Sequence, residues 1–301
     1  MFREKLGLNK DIKASDIFTL DNTQKDFNFK QFGMLNTKLN NTIVFLNNKK
    51  SLNQINKNSN ISGVITTEEF ISYIEPSKGI IISQDPMSLF YSKYIDLFSR
   101  IKYDNSYFAP NAKISSRAII AQSGVIIKNN VIIEEGVIIK EGVEIGENSI
   151  IRAGCIIGGE GFEIKKIYNR ELIIPHNKKV MIGKNVEVQY NSCIDKGLFE
   201  RDTIIEDDVK IDNLCHIAHN VKIGKKSKIA AKVMIAGSST IGTNVWIGPG
   251  SNISSNVLIS NNARVTIGST VIKNVDENQT VTGYIAQNHK LFLKKYLYLF
   301  K

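Results

Sequence analysis

From about residue 114 the chain places a bulky aliphatic residue at every sixth position. Ala121, Ile127, Ile133, Ile139, Ile145, Ile151 and Ile157 form one column. Four residues after each comes a small or β-branched one: Val125, Val131, Val137, Val143, Ser149 and Cys155. Between them runs a third column of Gly124, Asn130, Gly136, Gly142, Asn148 and Gly154. The first two columns suit short strands that turn both side chains inward, and the Gly/Asn column suits corners needing a positive φ. Three strands and three corners predict a triangular coil of about 18 residues, stacked into a solenoid.

The period breaks at about 159–179, resumes at Ile182, Val188 and Ile194, and slips through GLFERDT. It then runs without interruption from Ile205 through Ile211, Ile217, Ile223, Ile229, Ile235, Ile241, Ile247, Ile253 and Ile259 to Val265. This spacing resembles the hexapeptide-repeat family. The resemblance implies a mainly β chain, a left-handed parallel β-helix that usually trimerises. The first 105 residues lack the period and read as an α/β domain, with strands at 61–66 and 79–83 and a helix after Asp85-Pro86. Residues 106–285 form the β-helix, carrying an inserted loop at about 159–179. The tail at 286–301 is a short, lysine-rich helix that caps the solenoid.

Composition narrows the classes. The chain has 301 residues, 42% of them hydrophobic, enough to bury a core. No apolar run reaches the roughly 18 residues of a membrane helix, and MFREKLGLNK has no apolar stretch to serve as a signal; the expectation is a soluble, cytoplasmic protein. Three cysteines without a C-x-x-C pair argue against a disulfide framework or a structural zinc site. Cys155 and Cys215 fall in the inward column and read as packing residues. Thirty-nine Lys and Arg against 29 Asp and Glu give a formal charge of +10. The lysines are scattered, with no arginine-rich run or stacking motif, so nucleic-acid binding is not expected.

Two of the four histidines stand together in IDNLCHIAHNVKIG. Both His216 and His219 escape the inward column, and His219 falls at a corner. A neutral imidazole at such a place can take a proton from an attacking amine or hydroxyl. Asp212 is placed either to orient that ring or as a solvated carboxylate. One coil beyond His219 stands Gly237, which either brings a backbone N–H close to a substrate or relieves crowding at the corner.

The runs GGEGF, IPHNKKVMIGKNVEVQYNSCIDKG, DTIIEDDVKIDNLCHIAHNVKIG and AGSSTIG, with LNTKLNNTIVFLNNKK and SQDPMSLFYSKYIDLF nearer the start, resemble the UDP-3-O-acylglucosamine N-acyltransferases of lipid A biosynthesis. The resemblance implies that His219 deprotonates a sugar 2-amine and that Gly237 supplies an oxyanion N–H. It also implies that His216 and Asn213 contact substrate. Phe45 and Asn48 map onto the family's uracil contacts, although Phe45 equally suits a core position. The donor implied is a 3-hydroxyacyl thioester on the phosphopantetheine arm of acyl carrier protein; no bound cofactor or metal is expected. Lys273, Lys290, Lys294, Lys295 and Lys301 are then candidates to steer that acidic partner. Three positions depart from the family: Ser51 replaces a tyrosine, Asn256 a second histidine, and His216 a glutamine. The alternatives are a CoA-dependent N-acyltransferase for another nucleotide amino sugar, a γ-carbonic-anhydrase-type metal hydratase, and a non-catalytic scaffold.

Overall fold

The computed structural model describes residues 11–19, 22–98, 101–283 and 286–298. Three all-parallel sheets, two of eight strands and one of nine, form the sides of a triangular prism. Successive coils stack with residue i beside i+18: Ile205 pairs with Ile223, Ile223 with Ile241, and Ile241 with Ile259. The inward columns are buried as the pattern requires. Ile127 through Ile157, Val125 through Val143, Ser149 and Cys155 are essentially inaccessible, as are Ile205 to Val265. Only Ala121, on the first coils, stays partly exposed. Burial pushes the thiols of Cys155 and Cys215 up to about 11, which fits packing roles.

The corner column behaves as its residue types demand. Gly124, Asn130, Gly136, Gly142, Asn148 and Gly154 all adopt φ between +59° and +82°. In the second run the same corner is forced on Leu214 (φ 58°), Lys226 (φ 61°) and Lys232 (φ 59°), residue types that resist it by about 1–2 kcal/mol each.

The two breaks in the period are insertions that leave the coil phase intact. Ile145 pairs with Ile182 and Ile157 with Ile194, a step of 37 residues instead of 18, so 19 residues leave the coil. Ile182 pairs with Ile205 and Ile194 with Ile217, a step of 23, so five more leave at GLFERDT. The expected loop is in part a β-hairpin, Ile164–Ile167 against Arg170–Ile173, turning at Tyr168 and Asn169 in the left-handed region.

The described residues between 11 and 98 hold mixed strands and helices. A five-stranded sheet has the order Thr23–Lys25, Gly79–Ile82, Ile61–Thr66, Thr42–Phe45 and Gln31–Phe32, parallel except for its first strand. Alternation along the strands divides its faces. Ile43, Ile65 and Ile81 pack on the helix Pro86–Phe98, while Val44, Val64 and Ile80 pack with Leu52 and Ile55 of the helix Leu52–Lys57. Asp85 Oδ1 caps the longer helix by accepting the Ser88 N–H at 3.0 Å, with Pro86 in the first turn. The tail helix spans His289–Tyr298, and Asn288 Oδ1 accepts the Lys290 N–H.

Both insertions dock on this domain. Ile167 and Ile174 from the hairpin, and Leu198 and Phe199 from the five-residue insertion, are buried in one cluster with Phe32, Phe90, Tyr91 and Tyr94. The Phe199 ring lies 4.9 Å from that of Tyr94. Tyr94 also donates its hydroxyl to the Pro175 carbonyl at 2.7 Å, and Ser88 Oγ accepts the Tyr168 N–H. Because the Lys226 corner is exposed and left-handed, Lys226→Asn is expected to raise stability by about 1 kcal/mol, read as a higher urea midpoint. A lower midpoint would refute the strain assigned to that corner.

Candidate functional site

His219 lies two residues past inward-facing Ile217 of the strand His216–Ile217, immediately before the left-handed corner residue Asn220. One coil on, Gly237 occupies the equivalent place, and the Ser238 N–H donates to the His219 carbonyl at 2.9 Å. A Cβ at Gly237 would stand 2.5 Å from His219 Nε2, although its backbone is not in the left-handed region. The imidazole, not the local conformation, demands a glycine there. The Gly237 N–H has no hydrogen-bond acceptor among the described residues, while its carbonyl accepts from the Asn256 N–H at 3.1 Å. The corner histidine therefore stands against a glycine whose backbone N–H has no acceptor among the described residues, and such an N–H is the kind of donor that an oxyanion can use.

A second histidine completes the site. His176, from the insertion, is fully buried with its ring 5.2 Å from that of His219 and tilted 65° to it. Glu160 Oε2 accepts the His176 backbone N–H at 2.7 Å and stands 3.4 Å from its Nδ1. Glu160 Oε1 pairs with Lys196 Nζ at 2.6 Å. Burial would raise the Glu160 carboxyl, but these contacts from His176 and Lys196 win and hold it down at about 2, so it is ionised at any working pH. Gly161 seals the pair: a Cβ there would come within 2.5 Å of His176 Nε2 and 3.1 Å of His219 Cδ2.

Burial pushes the His219 imidazole below its ordinary value, and the adjacent His176 pushes the same way, against the weaker pull of Glu163. The ring is therefore neutral near neutral pH and able to accept a proton. Its Nδ1 is buried without a hydrogen-bond partner. His216 points outward, with Nε2 3.4 Å from Asp195 Oδ2. Burial raises the Asp195 carboxyl, opposed by His216 and His176.

Asp212 does not join this group. Seven residues carry the chain around a corner, from the strand Lys210–Ile211 in one sheet to His216–Ile217 in the next, so the two side chains diverge. Its Oδ1 accepts the Asn213 N–H at 2.7 Å, and it lines a separate groove with Glu187, Gln189, Lys210 and Trp246. Asn213 serves the corner ladder: its Oδ1 accepts from the Tyr190 N–H and its carbonyl from the Lys232 N–H. The half-buried Phe45 ring packs on Phe90 and Tyr91, at 5.1 and 5.9 Å, and keeps part of its surface open. Asn48 is exposed and accepts from Ser51 Oγ at 3.4 Å. Around the corner from His219, a cavity of 260 Å³ is lined by Met34, Asn36, Leu198, Arg201, Ser238 and Asn256 among others. Lys273, Lys290 and Lys294 are exposed; the Lys295 side chain and Lys301 lie outside the described residues.

Sequence reasoning brought His219 and Gly237 together through the 18-residue step, but gave no sign that His176, Glu160, Gly161, Asp195 and Lys196 would gather beside them. For residues 160, 161 and 176 the signal was the break in the repeat itself, since a solenoid has no packing reason to interrupt its coil there.

The chain matches the family model for the bacterial transferase hexapeptide (six repeats) at residues 124–159 and 202–237. It is 46% identical over 70 residues to a UDP-3-O-acylglucosamine N-acyltransferase of Xylella fastidiosa (strain M12), a match covering 23% of this chain and 20% of that enzyme. It is 40% identical over 75 residues to the enzyme of that name from Xanthomonas oryzae pv. oryzae, covering 25% and 22%. The matches thus span about a fifth of the length of these curated relatives. Among solved structures, a UDP-N-acetylglucosamine acyltransferase from Campylobacter jejuni superposes with a TM-score of 0.50 at 21% identity, over 63% of this chain and 77% of that one. That likeness bears on the fold alone and agrees with a left-handed β-helix.

Gly237→Ala places a methyl group against His219 Nε2 without backbone strain. The backbone N–H survives this change, so the loss comes from the displaced imidazole: we expect turnover to fall by about 100-fold or more, the scale of losing a general base. Unchanged turnover would remove Gly237 from the site.

Proposed function

We propose that this left-handed hexapeptide-repeat β-helix is an N-acyltransferase. It would move a 3-hydroxyacyl chain from acyl carrier protein to the 2-amine of a UDP-3-O-acylglucosamine, a step of lipid A biosynthesis. One observation carries the reading: the His219 imidazole, held below its ordinary value, stands against Gly237, whose backbone N–H has no acceptor among the described residues. The names of the matching relatives support the choice of amine and sugar.

Each group then has a task. The amine nitrogen attacks the thioester carbonyl while His219 Nε2 takes one of its protons. The carbonyl oxygen becomes an oxyanion and accepts the Gly237 N–H. Collapse of the tetrahedral centre breaks the carbon–sulfur bond, and the departing phosphopantetheine thiolate recovers the proton from His219. The products are an amide and a free thiol. No bound cofactor enters these steps; the phosphopantetheine arm is part of the donor. The exposed Lys273, Lys290 and Lys294 suit an acidic carrier protein arriving in the cytoplasm. A trimer would set a neighbouring prism against the His219 corner and complete the groove.

Incubation with carrier-protein thioester and UDP-3-O-acylglucosamine is expected to release free thiol, and His219→Ala to lower that rate at least about 100-fold. Normal turnover by the alanine variant would sink the reading. Because burial lowers the His219 value, the base is lost only as pH falls through a point below the ordinary imidazole value of about 6.5. The acid limb of kcat should have its midpoint below that value, and a midpoint above it would contradict the assignment.

A further inference from the structure

His176 is difficult to explain by stability. Its ring is fully buried; Nε2 has no hydrogen-bond partner among the described residues, and Nδ1 has only the long 3.4 Å contact with Glu160. An unsatisfied buried polar group costs about 1–3 kcal/mol, which an aliphatic or phenyl side chain of similar size would avoid. It also sits in an insertion, where no repeat dictates the residue.

The surroundings hold this ring from three sides. Its backbone N–H is fixed by Glu160, and the preceding residue, Pro175, is tied to the N-terminal domain through the Tyr94 hydroxyl. Gly161 closes over Nε2 and over the edge of His219 together. Glu160 is itself anchored by Lys196, whose ammonium lies 6.0 Å from the Phe98 ring of the N-terminal domain. The charged and titratable groups facing the two imidazoles are Glu160 and Glu163 on the insertion, Asp195 ending the neighbouring strand with Lys196 just past it, and His216 on the strand before the corner.

We propose that His176 is a positioning residue: its buried ring, fixed by Glu160, sets the plane of the His219 imidazole so that His219 Nε2 faces Gly237. This rests on the acyl-transfer reading of the corner. His176 touches no reacting atom and acts through His219, so its loss should disturb the chemical step and spare substrate binding. The docked N-terminal domain then shapes the catalytic corner as well as sitting beside it.

The test uses the full-length protein with His176→Gln and Glu160→Gln. Two readouts are taken: steady-state kinetics with carrier-protein thioester and UDP-3-O-acylglucosamine, and the pH dependence of His219 carbethoxylation by diethyl pyrocarbonate, followed by peptide mass spectrometry. In His176→Gln, kcat should fall about 10-fold or more with both KM values within twofold, the signature of an interaction that matters in the transition state. The carbethoxylation midpoint of His219 should move up toward the ordinary imidazole value. Glu160→Gln should lower kcat by a smaller factor, and it carries the test if His176→Gln does not fold. Unchanged kcat and an unchanged midpoint would overturn the proposal. If the wild-type protein shows no turnover, the midpoint still decides: a shift upholds His176 as the support of His219 while the acyl-transfer reading falls, and no shift refutes the support.

Discussion

The meeting of His219 and Gly237 depends on the 18-residue hydrogen-bonded step between coils. Strands two or three residues long have little stability alone. Their stability comes from ladders along the whole prism and from the aliphatic columns inside it. The same step that stacks Ile217 on Ile235 puts Gly237 over His219. A one-residue slip would turn inward side chains outward and separate the histidine from its glycine. Leu214, Lys226 and Lys232 show how firmly the geometry is imposed, since the fold holds them in a conformation their side chains disfavour.

The insertions respect that constraint while adding what a repeat cannot supply. Nineteen residues leave the prism at one point and five at another, and the ladder closes beneath both without losing phase. Outside the prism they do two jobs. Ile167, Ile174, Leu198 and Phe199 enter the aromatic cluster of the N-terminal domain, and residues 160, 161 and 176 reach back over the His219 corner. Docking and site-building share the same short segments. Tyr94 joins the two directly, since its ring packs on Phe199 while its hydroxyl holds the residue before His176.

The solenoid was legible because its signal is repeated many times over. The columns, the Gly/Asn corners and the pairing of His219 with Gly237 follow from a period of six and a coil of three strands. The helix at Pro86 and the strand at Ile61–Thr66 followed from local patterns as simple. Contacts made by non-repeating segments were hidden. His176 lies 43 residues before His219, and no periodicity says that a hairpin will fold back to bury it there. Asp212 misled for the opposite reason: it is near His219 in sequence and on the next strand, but a corner turns its carboxylate onto another face. Phe45 matches a binding motif and packs in part on Phe90 and Tyr91, two roles that a single aromatic letter cannot distinguish.

The central claim is that the His219–Gly237 corner forms an amide on an amino sugar. The most direct measurement is mass spectrometry of products from the purified protein supplied with acyl carrier thioesters and a panel of UDP-sugars, in which the amine at position 2 is present, acetylated or replaced by hydroxyl. The account predicts one added acyl group on the free 2-amine of UDP-3-O-acylglucosamine and none on the other two. Acyl transfer to the hydroxyl sugar, or no product from any pair, would contradict it.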